Sequence, residues 1–127
     1  MGFWIFMLCM ELLIPVMMIL FGWIFVRRPP KEINSIYGYR TSRSSKSKES
    51  WDFAHRYFGK LWYRWGLVLL PLTAAAMLAV LGKSKDTVGA WGNVLCCLQC
   101  IVMLIPIYFT EKALKSRFDE NGKPRMQ

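Results

Sequence analysis

Three stretches of this chain are too long and too apolar to be kept in water. Phe3 to Val26 carries a single charged residue, Glu11, and the runs Trp65 to Leu81 and Gly89 to Thr110 carry none. At 1.5 Å per residue they extend about 26 to 36 Å, against a hydrocarbon core of about 30 Å. The second run can lengthen backwards, because Lys60 and Arg64 have stems long enough to snorkel to the headgroups. A soluble three-helix core is excluded, since 127 residues cannot cover three such helices with so little polar surface. The first run lacks a basic n-region and is too long for a cleaved secretory signal, so it reads as a span. The expectation is an all-α membrane protein of one domain, with spans at about 3–26, 61–82 and 90–110.

Charge sets the predicted topology. Of the 17 Lys and Arg residues, ten lie between Arg27 and Arg64, two in the second loop, and five from Lys112 to Arg125. The positive-inside rule then puts the 27–60 segment and the 111–127 tail in the cytoplasm, with the N-terminus and the 82–89 hairpin outside. The net charge of +9 is mostly charge facing an anionic inner leaflet, which makes membrane lipid the expected partner. No DNA- or RNA-binding motif accompanies it, so nucleic acid is not expected.

The spans hold a few polar groups. Glu11 lies about a third of the way into the first. An ionised carboxylate there costs on the order of 2–3 kcal/mol, so it is expected to be neutral, paired or facing a wet cavity. Its use is either functional or a hydrogen bond across a helix interface, with Asn93 or Gln99 of the third span as partner. Pro15 removes the helical bond to the Glu11 carbonyl and frees that oxygen. Cys9, Cys96, Cys97 and Cys100 all fall inside spans. No histidine or second cysteine pair completes a metal set, so neither a metal nor another cofactor is expected.

The polar 27–60 segment is where recognition chemistry concentrates. Pro29 and Pro30 end the first helix. Asn34 to Ser45 reads as an irregular loop, in which Arg40 and Arg43 stand among Thr41, Ser42, Ser44 and Ser45. Cations beside hydroxyl and backbone donors suit a phosphate or carboxylate, but composition alone favours a solvated basic loop lying on lipid headgroups. From Ser47, a plausible N-cap, the pattern turns helical with Glu49 and Asp52 in the first turns. Trp51, Ala54, His55, Phe58 and Trp62 share one face; Phe53, Tyr57 and Leu61 form an aromatic stripe. This predicts an amphipathic helix along the inner interface, bending near Gly59 or Gly66 into the second span. His55 is the single histidine, and no nucleophile motif accompanies it, so an enzyme is not expected. The tail is expected to be helical to about Phe118 and frayed after Asn121-Gly122.

Pro29-Pro30, Asn34, Gly38-Tyr39-Arg40-Thr41, Ser44, Glu49-x-Trp51, Phe53-Ala54, Tyr57 and Gly59-Lys60, placed between two spans, resemble the signature of the SdpI family of small bacterial membrane proteins. The likeness covers about a quarter of the chain. Ser42 and Ser47 depart from the Pro and Asn usual there, and the layout is that of the short members. The resemblance implies a multi-pass immunity protein of the bacterial cytoplasmic membrane, resisting a secreted membrane-active peptide toxin. It also implies, less directly, signalling by holding a soluble regulator at the membrane. On that reading Arg40 and Arg43 pair with anions, Asn34 and Thr41 fix the loop, and Trp51 anchors the helix in the interface. The alternatives are a lipid- or small-solute-binding protein or transporter using Glu11 and the arginines, and a scaffold for a soluble partner. Three helices make a thin bundle, so a homodimer is as plausible as a monomer.

Overall fold

The computed structural model describes residues 2–31, 33 and 38–124. It holds three long α-helices: α1 (Gly2–Arg27), α2 (Lys48–Leu78) and α3 (Lys85–Arg117), with a 3-10 turn at Ser44–Lys46 before α2. All three are long and apolar enough to cross a membrane. The lengths are unequal in a useful way. At 1.5 Å per residue α1 extends about 39 Å, but α2 and α3 extend about 46 and 50 Å. The surplus of α2 is its N-terminal end and that of α3 its C-terminal end, so both project on the same side. There they meet the 38–47 loop and build a polar cap.

The amphipathic stretch is not a separate interfacial helix. It is the first part of α2, which runs unbroken past Gly59 and Gly66. Those glycines serve close approach, not bending. A Cβ on Gly59 would lie 2.8 Å from the Gly22 carbonyl oxygen, and one on Gly66 would lie 3.0 Å from the Pro15 carbonyl oxygen. Across the seam, a Cβ on Gly22 would lie 2.5 Å from the Tyr63 backbone nitrogen. Without side chains at these points α1 and α2 pack backbone to backbone, as small residues allow in membranes. Their contact is the most extensive in the molecule.

Two apolar clusters close the ends. Phe25, Tyr39, Ala54, Phe58, Leu114 and Phe118 join all three helices to the loop at the cap. Met77, Val80 and Val88 pack with Phe3, Trp4 and Met7 at the opposite end. The last carbonyls of α2 take 3-10-type donors, the Ala79 N–H to Ala76 at 3.3 Å and the Val80 N–H to Met77 at 3.2 Å, and each keeps a lone pair for a second donor. The indole N–H of Trp4 supplies Met77 and that of Trp91 supplies Ala76, each at 2.8 Å. α2 starts on Ser47, whose hydroxyl accepts from the Ser50 N–H in a reciprocal capping box.

The segment after α3 folds back as far as Pro124, where fraying is expected after Asn121-Gly122; residues 125–127 lie outside the described residues. Asp119 and Lys123 close a turn, Phe118 bridges to Pro124, and the Ser47 hydroxyl donates to the Gly122 carbonyl. A glycine is required there, because at φ +79° a Cβ would meet Lys46 and Ser47 at under 3 Å. The tail thus clips the start of α2.

The seam generates a prediction. Gly22→Ala should cost about 1–3 kcal/mol through overpacking. Gly89→Ala, whose Cβ would meet only the Phe3 ring at 3.8 Å, should be neutral or slightly stabilising. Thermal melts in detergent micelles compare the two, and equal melting temperatures would remove the close-packing argument.

Candidate functional site

The cap is built around Gly38, Tyr39 and His55. Gly38 has φ +112°, and a Cβ on it would lie 2.6 Å from His55 Nε2. The bare backbone lets the chain slide past the imidazole, and the next N–H, that of Tyr39, donates to Nε2 at 2.8 Å. The other ring nitrogen, Nδ1, lies 2.8 Å from the Trp51 carbonyl oxygen. A backbone N–H can only donate, so Nε2 accepts and Nδ1 carries the proton. Trp51 in turn donates its indole N–H to the Pro30 carbonyl at 2.9 Å. One turn of α2 therefore holds both the segment leaving α1 and the start of the loop. Trp51 and His55 are wholly buried. Phe25 meets the imidazole edge-on, with ring centroids 5.1 Å apart. Burial lowers the His55 pKa, outweighing the Trp51 carbonyl that favours the proton.

A second knot reaches α3. The Tyr39 ring lies buried 4.7 Å from Phe58, and its hydroxyl donates to Glu111 Oε2 at 2.8 Å. The Thr41 hydroxyl donates to the same oxygen at 3.0 Å and accepts the Ser44 N–H at 3.1 Å. Ser44 accepts from the Thr41 N–H at 2.9 Å and donates back to the Tyr39 carbonyl at 2.9 Å. Ser50 of α2 closes the loop onto the Ser44 carbonyl. Burial, then the neighbouring Glu111 carboxylate, push the Tyr39 phenol far above its ordinary pKa. The arrangement consumes polar groups in holding three helices and a loop together.

The residues expected from the sequence separate accordingly. Gly38, Tyr39, Thr41, Ser44, Trp51 and His55 converge. Thr41 fixes the loop through Glu111 and Ser44; Asn34 lies outside the described residues. Trp51 is no surface anchor, because its whole ring is inside the cap. Tyr57 is half-buried against Phe53, and Glu49 is exposed. Arg40 and Arg43 are both exposed but do not share a site. Arg40 borders an apolar cavity of about 440 Å³ lined by Phe21, Phe25, Tyr39, Phe58 and Trp62. Arg43 borders another of about 480 Å³, which also has Lys46, Glu111, Asp119 and Glu120 on its walls. Three carboxylates there make poor company for an anion.

Within the spans, Gln99 and not Asn93 reaches Glu11, and it does so at the main-chain carbonyl, not at the carboxyl where the bond is expected. Six residues at about 100° each put the two side chains about 120° apart around α3, and Asn93 is exposed. Gln99 donates its amide to the Glu11 carbonyl, the one freed by Pro15, and to the Thr73 hydroxyl, each at 2.9 Å. The Glu11 side chain packs against Gly92, where a Cβ would lie 3.3 Å from Oε1. Glu11 Oε2 and Gln99 Oε1 are buried without a hydrogen-bond partner among the described residues. The four cysteines are free thiols, and no group of three metal-ligating side chains occurs among the described residues.

Sequence reasoning missed Glu111. It is the first charge after the uncharged third run, an acid at an end where cations were expected, and that anomaly was its only signal.

A model of the SdpI/YfhL protein family matches residues 31–110, the stretch that contains the loop, α2 and most of α3. The chain belongs to the SdpI/YfhL family. It is also similar to a Bacillus subtilis (strain 168) protein described as uncharacterized protein YfhL, at 35% identity over 113 residues, covering 86% of this chain and 89% of that one. No solved structure matches. This SdpI/YfhL protein is a multi-pass helical membrane protein whose shared region ends one residue before Glu111.

Two predictions concern the cap. With its folded pKa lowered by burial, His55 keeps the uncharged, singly protonated ring in the native state, while the unfolded chain takes a second ring proton at about pH 6.5. Stability should be full above about pH 6.5 and fall below it, by up to about 1.4 kcal/mol per pH unit. Melts between about pH 5 and 7.5 should show this slope for wild type and a flatter one for His55→Gln; identical profiles would rule the switch out. A double-mutant cycle of Tyr39→Phe with Glu111→Gln should return a coupling of about 1–2 kcal/mol. Simple additivity would mean the bond contributes nothing to stability.

Proposed function

We propose that this protein confers resistance to a secreted, membrane-active peptide toxin, acting in the bacterial cytoplasmic membrane without catalysis. The observation that carries the reading is membership of the SdpI/YfhL family through residues 31–110, which include the cap loop and α2. The cap faces the cytoplasm and the turn between α2 and α3, residues 79–84, faces out, as the excess of Lys and Arg on the loop and tail favours.

In this reading the division of labour differs from the one the motif suggests. The signature residues lock the cap, and resistance is exerted by the lipid-facing helices. A toxin already in the bilayer meets large apolar side chains such as Leu13, Leu20, Val68, Leu72, Leu98 and Leu104, all exposed on the bundle. The loop acts indirectly, by fixing how the helices sit. Arg40, exposed beside the apolar cavity, is the residue best placed to meet a soluble regulator, should the protein also signal.

Survival measures this. A toxin-sensitive bacterium expressing the chain should outlive the empty-vector strain under challenge with a peptide toxin of its lineage. Gly38→Leu, which drives a side chain into His55, should abolish protection, and Arg43→Ala should keep it, with membrane expression checked for both. Equal survival of the wild-type and empty-vector strains would sink the resistance reading. Loss with Arg43→Ala alone would return the site to the loop surface.

A further inference from the structure

The flank where α1 and α2 close on each other carries a graded groove that the cap does not use. Its upper part, about 460 Å³, is lined by Val16, Ile19 and Leu20. Trp23 and Tyr63 line this part and also the next, about 350 Å³, which adds Val26, Arg27, Lys60 and Arg64. The sequence of chemistry along the groove is aliphatic, then aromatic, then cationic. The close seam is its cause: with only glycine at position 22, α1 offers no side chain to fill the angle beside Tyr63.

We infer that this groove is a binding site for one anionic glycerophospholipid, its phosphate among Arg27, Lys60 and Arg64 and an acyl chain along Val16, Ile19 and Leu20. Three observations favour a lipid over a free anion. From Val16 to Arg27 the helix rises about 16 Å, close to half of a hydrocarbon core of about 30 Å, so the groove has the depth of one leaflet. Trp23 and Tyr63 sit at the change from apolar to charged, where amphipathic rings favour the membrane interface. The cationic part has three positive side chains and no carboxylate among the described lining residues. Its charge complements a phosphodiester with no offsetting headgroup cation. A larger neighbouring groove, about 690 Å³, shares Arg27 and includes Asp52, which pairs with Lys48; it offers no apolar track and fits a lipid less well. The inference depends on the membrane spans and not on the resistance reading, so either can fail alone.

The test is retention of lipid by the purified full chain in detergent, titrated with phosphatidylglycerol or phosphatidylcholine and read by native mass spectrometry. Wild type should prefer phosphatidylglycerol. Lys60→Gln with Arg64→Gln should weaken phosphatidylglycerol binding about 30-fold. Lys112→Gln with Lys123→Gln, which removes the same charge elsewhere, should leave it within about twofold. Val16→Phe, which fills the aliphatic part, should lower retention of both lipids. Equal losses for the two charge pairs would overturn the site, since binding would then follow net charge. Displacement by glycerol 3-phosphate at the same concentration as the lipid would overturn the lipid assignment in favour of a free phosphate. Wild type also tests the site without any variant. In nanodiscs, phosphatidylglycerol should shield Lys60 from amine acylation more than Lys112, relative to phosphatidylcholine, and equal shielding overturns the proposal.

Discussion

The neutral imidazole of His55 is the point on which the cap depends. It accepts a main-chain N–H from Tyr39 and donates to a main-chain carbonyl of its own helix, so it is satisfied on both sides without a charge. A buried ring with one nitrogen unpaired would cost on the order of 1–3 kcal/mol. Satisfied, it converts a helix face into a docking edge for a loop whose described part holds no more than the 3-10 turn at Ser44–Lys46. Gly38 exists to permit that approach, and Trp51, one turn earlier, ties down the residues that leave α1. Loss of this ring would free Tyr39, and with it the link to Glu111 and α3.

The cap explains why α2 and α3 are longer than a bilayer requires. Three apolar helices in lipid have little hydrophobic drive to associate, since the tails are as apolar as their side chains. Association has to come from packing and from hydrogen bonds. At the seam it is packing, through Gly22, Gly59 and Gly66. At mid-depth it is Gln99, which bonds to the Glu11 carbonyl and to Thr73 and so touches all three helices. Where the helices leave the lipid, water returns and the hydrophobic effect acts again, so Tyr39, Phe58, Leu114 and Phe118 can bury one another there. The overhang gives a thin bundle a small water-side core.

What the sequence made legible follows from range. The three spans are local in composition, the Ser47 cap is local in spacing, and the carbonyl freed by Pro15 is one turn away; all could be read directly. Asn93 and Gln99 read as alternative partners for the Glu11 carboxyl; Gln99 instead takes the main-chain carbonyl, because only a packed α3 shows which atom its inward face reaches. The Tyr39–Glu111 bond spans 72 residues and had no local trace. A bend at Gly59 or Gly66 is what the sequence suggests, because a glycine in a helix looks the same whether it bends the chain or admits another one. Arg40 and Arg43, three residues apart in the sequence, look like a pair, and the turn that Thr41 and Ser44 tie between them sends them to different cavities.

That last separation bears on how a polar signature should be read in a membrane protein. In water, hydroxyls and cations clustered on a loop suggest a ligand, because bonds to solvent compete with bonds inside and the loop must be kept for some external purpose. At the end of a lipid-embedded bundle the balance shifts. The helices supply little mutual attraction, so a loop that ties their ends together carries structural weight that a soluble core would otherwise carry. The Thr41 hydroxyl illustrates this: it donates to Glu111 and accepts from Ser44, with both roles filled internally. Motif residues whose hydrogen-bonding groups are committed inward specify a shape, and recognition passes to the surfaces that the shape presents. In the proposed reading those are the lipid-facing helices and the cationic groove beside the α1–α2 seam, where Arg27, Lys60 and Arg64 are exposed.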